Sequence, residues 1–197
     1  IDVSLVGSEM CIRDSNRGLT LSGQNVSNED SGAFTSQFSA EMLKDCGAKY
    51  CLIGHSEVRQ FLTETNEVIK QKFDQLKKES LQPILCIGEP LKIKEASKTT
   101  DYLTEQLDLI DSDQENLIIA YEPIWSIGTG LIPEINDIQL AINSIRSKFH
   151  KPIKVLYGGS VNSSNASSIS DKTDIDGLLV GGASLNPKEF AKIAQLC

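Results

Sequence analysis

Six times along the chain a short apolar, β-branched run gives way to a longer polar stretch. The runs are "LTLSGQNV" (19–26), "KYCLIGHS" (49–56), "QPILCIGE" (82–89), "NLIIAYEP" (116–123), "IKVLYGGS" (153–160) and "DGLLVGG" (176–182). Strands this apolar are buried on both faces. In the stretches between them, Val68, Ile69, Phe73 and Leu76 fall at helical intervals, as do Leu103, Leu107 and Ile110. Thr65 or Asn66 is placed to cap the first of these helices. Near-continuous apolar strands alternating with amphipathic helices build a parallel sheet covered by helices, and they exclude an antiparallel sandwich. Open doubly wound sheets and closed barrels both satisfy this pattern. The regular repeat, with no GxGxxG after the first strand, points towards the barrel.

The chemistry-bearing residues gather at one end of this pattern. His55, Gly88-Glu89, Glu122, Gly158-Gly159-Ser160 and Gly181-Gly182 all stand at the carboxyl ends of their strands, the edge where parallel α/β folds place their sites. Packing needs alone would scatter such residues over both ends.

Composition narrows the partners. A net charge of -8 argues against nucleic acid or an anionic membrane, either of which needs a basic face. It leaves room for a small anion held by backbone amides. Five cysteines, an odd number with no CxxC pair, suit a reduced, cytoplasmic chain, and no apolar run reaches membrane-spanning length.

Glu122 follows the apolar run Leu117-Ile118-Ile119-Ala120 and precedes Pro123. A carboxylate leaving such a strand enters a partly dry mouth, where desolvation raises its proton affinity towards that of a useful base. Taken alone it is more readily read as a strand-end acid paired with a lysine or arginine. His55 stands between "CLIG" and Ser56-Glu57, where a short helix can start. A helix amino end disfavours imidazolium, and a neutral ring can donate a hydrogen bond to a carbonyl oxygen; taken alone, it is more readily a structural histidine. His150, before Lys151-Pro152, reads as a capping or surface residue. The glycine pairs of "YGGSV" and "VGGAS" leave backbone bare, as a closely approaching phosphate would require, although tight turns use glycine as well.

"GHSE" (54–57), "CIGE" (86–89), "AYEPIWSIGTG" (120–130), "YGGSV" (157–161) and "DGLLVGGASL" (176–185) resemble, in order and spacing, the successive signatures of the triosephosphate isomerase family. The resemblance implies an α/β fold of the (βα)8 TIM-barrel type, of which about six βα units, the third to the eighth, are present. It implies interconversion of dihydroxyacetone phosphate and D-glyceraldehyde 3-phosphate without metal or organic cofactor. Glu122 corresponds to the base and His55 to the neutral electrophile. Gly128, Ser160, Gly181 and Gly182 match the positions whose amides hold phosphate; Ser56 and Glu57 match supporting polar groups. "PIWSIGTG" matches a hinged lid, and Tyr157 its partner on closure. Thr35, within "GAFTSQ", matches a loop that enters a second subunit, so a homodimer is expected of the full-length protein.

The chain departs from the family pattern in several places. The family has about eight units in roughly 250 residues, and its Asn-x-Lys motif at the first strand end has no match here. Residues 1–15, "IDVSLVGSEMCIRDS", show neither helical nor strand periodicity and resemble translated adapter sequence. The expected division is therefore a foreign segment over 1–15 and a partial barrel domain over 16–197. Gln37 and Val58 replace an acid and an arginine that pair across the family's dimer interface, while Ser126 and Leu131 stand where alanine and lysine are commoner. The alternatives are an impaired fragment or a phosphometabolite-binding barrel without the first-strand lysine.

Overall fold

A computed structural model describes residues 19–129 and 131–196. The expected division at residue 15 lies outside them. The six runs form six parallel strands in one sheet, in chain order: β1 (Ser22–Gly23), β2 (Tyr50–Ile53), β3 (Gln82–Ile87), β4 (Ile118–Tyr121), β5 (Lys154–Tyr157) and β6 (Gly177–Leu178). Sequential order in an all-parallel sheet requires a crossover between each pair of strands, as a barrel sheet does. The central register sets Cys86 beside Ala120 and Ala120 beside Leu156, then Ile87 beside Tyr121 and Tyr121 beside Tyr157. The outermost strands are shorter than the apolar runs that mark them, two residues each, because among the described residues each is hydrogen-bonded on one side only.

The crossovers carry α1 (Ala40–Asp45), α2 (Ser56–Phe61), α3 (Asn66–Lys78), α4 (Leu91–Glu95), α5 (Thr99–Leu107), α6 (Ile135–Ser147), α7 (Ala166–Lys172) and α8 (Pro187–Gln195). Thr65 caps α3, its side chain accepting from the Val68 N–H at 3.4 Å. The α3 stripe differs from the one its spacing suggests. Val68 is half-buried, and the inward face is Ile69, Lys72, Phe73 and Leu76. Lys72 can occupy a core position because its ammonium meets the carboxylate of Glu64 and, at 2.9 Å, Asn25 Oδ1, so the buried charge is paired. His150 lies beyond the end of α6, exposed, with Asp113 Oδ1 3.2 Å from Nδ1.

Period-two alternation along the strands separates two cores. Ile53, Leu85, Ile87, Ile119, Tyr121, Val155 and Tyr157 join the helix residues in one large cluster. Leu52, Ile84, Cys86, Ile118, Ala120, Leu156 and Leu179 form a second cluster with no helix residue in it. This second face is the barrel interior, and its parity matters for the site: 118, 120 and 122 share one side of β4 and its continuation.

Core position and surface position on neighbouring elements should behave very differently. Ile119→Ala, at a fully buried site, is expected to lower unfolding free energy by about 2–5 kcal/mol. Leu140→Ala, on the 66% exposed face of α6, should change it by no more than ~0.5 kcal/mol. Urea midpoints of the two variants check both.

Candidate active site

The backbone ladder continues one residue past β4, where the Glu122 N–H donates to Ile87 O at 2.7 Å. Glu122 therefore keeps the inward parity of Ile118 and Ala120, and it is only 2% exposed. Room for it comes from glycines on both neighbouring strand ends. A Cβ on Gly88 would stand 1.7 Å from the Glu122 carbonyl oxygen, and one on Gly158 would stand 3.0 Å from its Cγ. The carboxylate is fixed at both oxygens. Oε2 accepts from the Ser56 N–H at 3.2 Å, and Oε1 lies 3.2 Å from His55 Nε2. Among the described residues Glu122 has no lysine or arginine ion-pair partner, so the ion-pair reading of this acid is not what the structure holds. Burial pushes the Glu122 carboxyl above the ordinary glutamate value of 4.5, with His55 and the Ser56 N–H opposing the shift.

His55 reaches this position as the N-cap of α2. Its Nδ1 accepts from the Glu57 N–H at 3.3 Å, so the capping atom is a ring nitrogen. An N–H aimed at Nδ1 requires a lone pair there, which leaves the ring hydrogen on Nε2, the atom that faces Glu122. Ser56 and Glu57, first residues of α2, act through their backbone N–H groups, one on the carboxylate and one on the imidazole. The short helix thus orients acid and ring together.

Below Glu122 the chain turns through a 3-10 segment, Ile124–Ser126, and reaches Gly128 at φ 68°, the left-handed region. Ser160 Oγ donates to Ser126 O, which ties this segment to the end of β5. Gly128, Gly181 and Gly182 are exposed, and a Cβ built on any of the three meets nothing within 4 Å. The first glycine pair is different. Gly158 is bare because Glu122 fills its space, and a Cβ on Gly159 would lie 2.2 Å from the Tyr157 hydroxyl. Packing accounts for that pair, whereas open space in front of Gly181-Gly182 leaves their backbone free to meet a ligand. Thr35 lies exposed in the loop between β1 and α1. Among the described residues no three His, Cys, Asp or Glu side chains are grouped to hold a metal ion.

A carboxylate of raised proton affinity, an Nε2–H donor beside it, and a rim of bare backbone at the ends of parallel strands together suit proton transfer next to a carbonyl in an anionic substrate. Comparison with known proteins agrees with this chemistry. The family model of triosephosphate isomerase matches residues 3–197.

The chain belongs to the triosephosphate isomerase family.

It is 45% identical over 180 residues to the triosephosphate isomerase of Trichodesmium erythraeum (strain IMS101), covering 90% of this chain and 75% of that one. The enzyme of Alkaliphilus oremlandii (strain OhILAs) is 44% identical over 188 residues, 89% of this chain and 76% of its own. That of Mesomycoplasma hyopneumoniae (strain 7448) is 42% identical over 192 residues, 96% and 79%. The TIM-barrel fold expected from the sequence motifs is therefore the fold of this isomerase.

Two residues of the site carried no assigned role in the sequence reading. Glu89 is fully buried, and its Oε1 accepts from Trp125 Nε1 at 3.0 Å and from the Tyr121 hydroxyl at 3.2 Å. Burial raises its carboxyl too. Glu89-Pro90 repeats the strand-end pattern of Glu122-Pro123, and that repetition was the available signal. Arg59 is the other: Nε donates to Gly54 O at 2.7 Å and a terminal nitrogen to Cys86 O at 3.3 Å, so it ties the ends of β2 and β3 behind His55. Nothing in its sequence context distinguishes it from a surface arginine of α2.

The glycines beside Glu122 generate a graded prediction. Gly158→Ala presses on a side chain that can swing, so kcat/KM is expected to fall at least tenfold with a modest loss of stability, about 1–3 kcal/mol. Gly88→Ala presses on backbone and should cost more stability than Gly158→Ala. Thermal midpoints measured beside turnover separate the two.

Proposed function

We propose that Glu122 carries a proton between adjacent carbons of a three-carbon phosphate while His55 Nε2–H hydrogen-bonds the carbonyl oxygen. The family's reaction is an aldose–ketose isomerisation, interconverting dihydroxyacetone phosphate and D-glyceraldehyde 3-phosphate. The observation that supports the residue roles is the placement of Glu122 Oε1 and His55 Nε2 within 3.2 Å of each other at the strand ends. Groups that close can reach neighbouring atoms of one small molecule.

The proton balance is simple. The carboxylate takes a proton from the carbon beside the ketone, and the electron pair left behind moves onto the carbonyl oxygen as an enediolate. The Nε2–H donor stabilises the developing negative charge there. Glu122 then returns the proton to the former carbonyl carbon, and a proton shifts between the two oxygens, so nothing is gained or lost overall. To act, the carboxylate must give up its bonds to His55 and Ser56, and substrate entry supplies the reason for the exchange. Gly128, Ser160, Gly181 and Gly182 supply the phosphate site in this reading, through backbone N–H groups and the Ser160 hydroxyl. Residues 124–129 act as the lid over it, excluding water so that the enediolate is not lost to side reactions.

Two further parts belong to the same reading. The largest exposed apolar side chains near Thr35 include Phe34, Phe38 and Met42, with Phe61 and Leu62 at the end of α2. Apolar surface of that kind suits an interface, and we assign it to a homodimer, which sedimentation at micromolar concentration tests: a monomer there counts against it. Among the described residues no helix is long and apolar enough to cross a membrane, and Cys51 and Cys86 are free thiols, in keeping with a cytoplasmic enzyme.

In a coupled isomerase assay, His55→Gln is expected to lower kcat by about 10²–10³-fold through loss of the oriented donor. Glu122→Asp, which withdraws the base by one methylene, should lower it by ~10²-fold or more. Equal rates in all three proteins would refute both roles.

The raised carboxyl of Glu122 also sets pH behaviour. Only the ionised form is a base, so kcat/KM should fall on the acid side with a limb above pH 4.5. For stability the sign is opposite to that of a salt-bridged acid. Folding disfavours the charged form, so the destabilisation is absent below the ordinary glutamate value and develops as pH rises through the raised folded one. Glu122→Gln should therefore raise the thermal midpoint near neutrality while abolishing turnover, and lose its advantage below pH 4.5.

A further inference from the structure

β3 loses a neighbour before it ends. β2 stops at Ile53 and the chain turns through Gly54 and His55 into α2, while β3 runs on to Ile87. Backbone hydrogen-bonding groups of successive residues face opposite sides of a strand. Ile87 O faces β4, where it takes the Glu122 N–H at 2.7 Å, so the Cys86 carbonyl and the Gly88 N–H face the side that β2 has vacated. Side chains take its place there. A terminal nitrogen of Arg59 donates to Cys86 O at 3.3 Å, and Gln106 Oε1 accepts from the Gly88 N–H at 2.9 Å.

Gln106 is the polar member of a buried helix face. The other buried residues of α5 are Leu103 and Leu107, and Gln106 is 5% exposed between them. An amide at such a position costs free energy unless it is hydrogen-bonded, and among the described residues its hydrogen bond is the one to Gly88. Gly88 in turn lies directly against the acid. A Cβ there would stand 1.7 Å from the Glu122 carbonyl oxygen and 2.6 Å from its carbonyl carbon. The residues on either side of Gly88 hold the same stretch, Ile87 O through the Glu122 N–H and Glu89 O through the Ile124 N–H at 3.1 Å. Glu122 thus rests on three consecutive residues, and the middle one, with no side chain to anchor it, is held by Gln106.

We infer that Gln106 is a positioning residue of the reaction: by holding the Gly88 N–H it fixes the backbone against which Glu122 rests, and with it the reach of the carboxylate towards substrate. This rests on Glu122 being the base, as proposed above. Without the amide, the Gly88 N–H is left unpaired on the side that β2 has vacated, and an unpaired buried donor is costly enough to turn the backbone towards another partner. Glu122 then follows through the close contact with Gly88. A base displaced from its reacting carbon loses rate and not affinity, since the substrate is held at its phosphate.

Gln106→Met keeps the length of the side chain and removes the acceptor. It is expected to lower kcat about tenfold while KM stays within about twofold of wild type. Glu122 also draws away from the Ser56 and His55 groups that favour its charged form, so its titration should move to higher pH. Carbon-13 NMR of the carboxyl follows that titration without turnover, and the titratable neighbours His55, Arg59 and Cys86 are the same in both proteins. Gln106→Glu restores an oxygen to the Gly88 N–H and should recover most of the kcat on the high-pH plateau, even though a buried carboxyl lowers the thermal midpoint. Gln106→Asn, which withdraws the amide by one methylene, carries the same expectation as Gln106→Met and replaces it if that chain does not fold. A purely structural glutamine gives a different result, a lower midpoint with wild-type kcat and an unchanged Glu122 titration. That outcome, or a Gln106→Glu chain as slow as Gln106→Met, overturns the inference and leaves the base in place. A Glu122→Asp chain as active as wild type overturns the base itself, and this inference falls with it.

Discussion

Everything at the strand ends is arranged around one unfavourable act, the burial of a carboxylate in an apolar barrel mouth. An ionised acid removed from water and left unpaired costs many kcal/mol, and the usual remedy is a buried cation. Here the remedy is two N–H donors. Ser56 N–H meets one oxygen and His55 Nε2 the other, and both come from the first turn of a six-residue helix. Compensation is incomplete, since the carboxyl still prefers its proton more than an exposed glutamate does. A full ion pair would hold the acid more firmly and make it a poorer base. The partial remedy leaves it ionisable and exchangeable, which is what a proton carrier needs.

The same constraint explains features that would otherwise read as unrelated. Gly88 and Gly158 stand on the strands either side of β4 because a methyl group at either would strike Glu122. Gln106, reaching from α5, accepts from the Gly88 N–H at 2.9 Å and satisfies the backbone that the missing side chain exposes. Arg59 draws the carbonyls of Gly54 and Cys86 together behind the imidazole. The inward parity of residues 118, 120 and 122 places the acid on the face whose core contains only strand side chains. A one-residue slip of β4 would turn Glu122 outward among the helices, so register and function are fixed together.

How much of this was legible in the sequence depends on how local the cause is. Six apolar runs with helical spacers were enough for the parallel sheet and the side on which chemistry collects, but not by themselves for its closure or strand order. Thr65 as a cap follows from its own neighbourhood, and so does His55 at a helix start. The partners of Glu122 were not readable in the same way: Ser56 is 66 positions away in the chain, and without it the acid looked like half of an ion pair. Lys72 defeated the helical stripe for the same reason, because its acceptors, Glu64 and Asn25, lie in two other segments. The glycine pairs looked equivalent in sequence and are not. One clears space for protein side chains, the other faces open space, and only the packing of β4 against β5 separates them. Order and spacing of the motifs resolved what single residues could not, because several weak signals in one sequence of strand ends constrain each other.

Half of the unpaired buried polar atoms among the described residues cluster around the segment after Glu122. Of the six side-chain atoms buried without partners among the described residues, three, Glu89 Oε2, Ser126 Oγ and Tyr157 OH, belong to the segment that follows Glu122 or to what it rests on, while Glu64 Oε2, Thr99 Oγ1 and Arg146 Nε lie elsewhere. A rigid structural loop would be expected to satisfy its buried groups. A segment that must occupy two positions cannot satisfy the same groups in both with the same partners, so some cost in one position is the physical counterpart of stability in the other. Glu89 makes this concrete. One of its oxygens anchors the Trp125 indole while the other is held in reserve, fully buried and without a donor. The segment after Glu122, the lid of the proposed reaction, is held in this position by a small number of replaceable bonds, the indole to Glu89 and the Ser160 hydroxyl to Ser126 O. The carboxylate of Glu122 is held in the same provisional way. In the proposed reaction, Glu122 and the segment after it can then respond to one event, the arrival of an anionic substrate at the strand ends, without any rearrangement of the sheet that positions them.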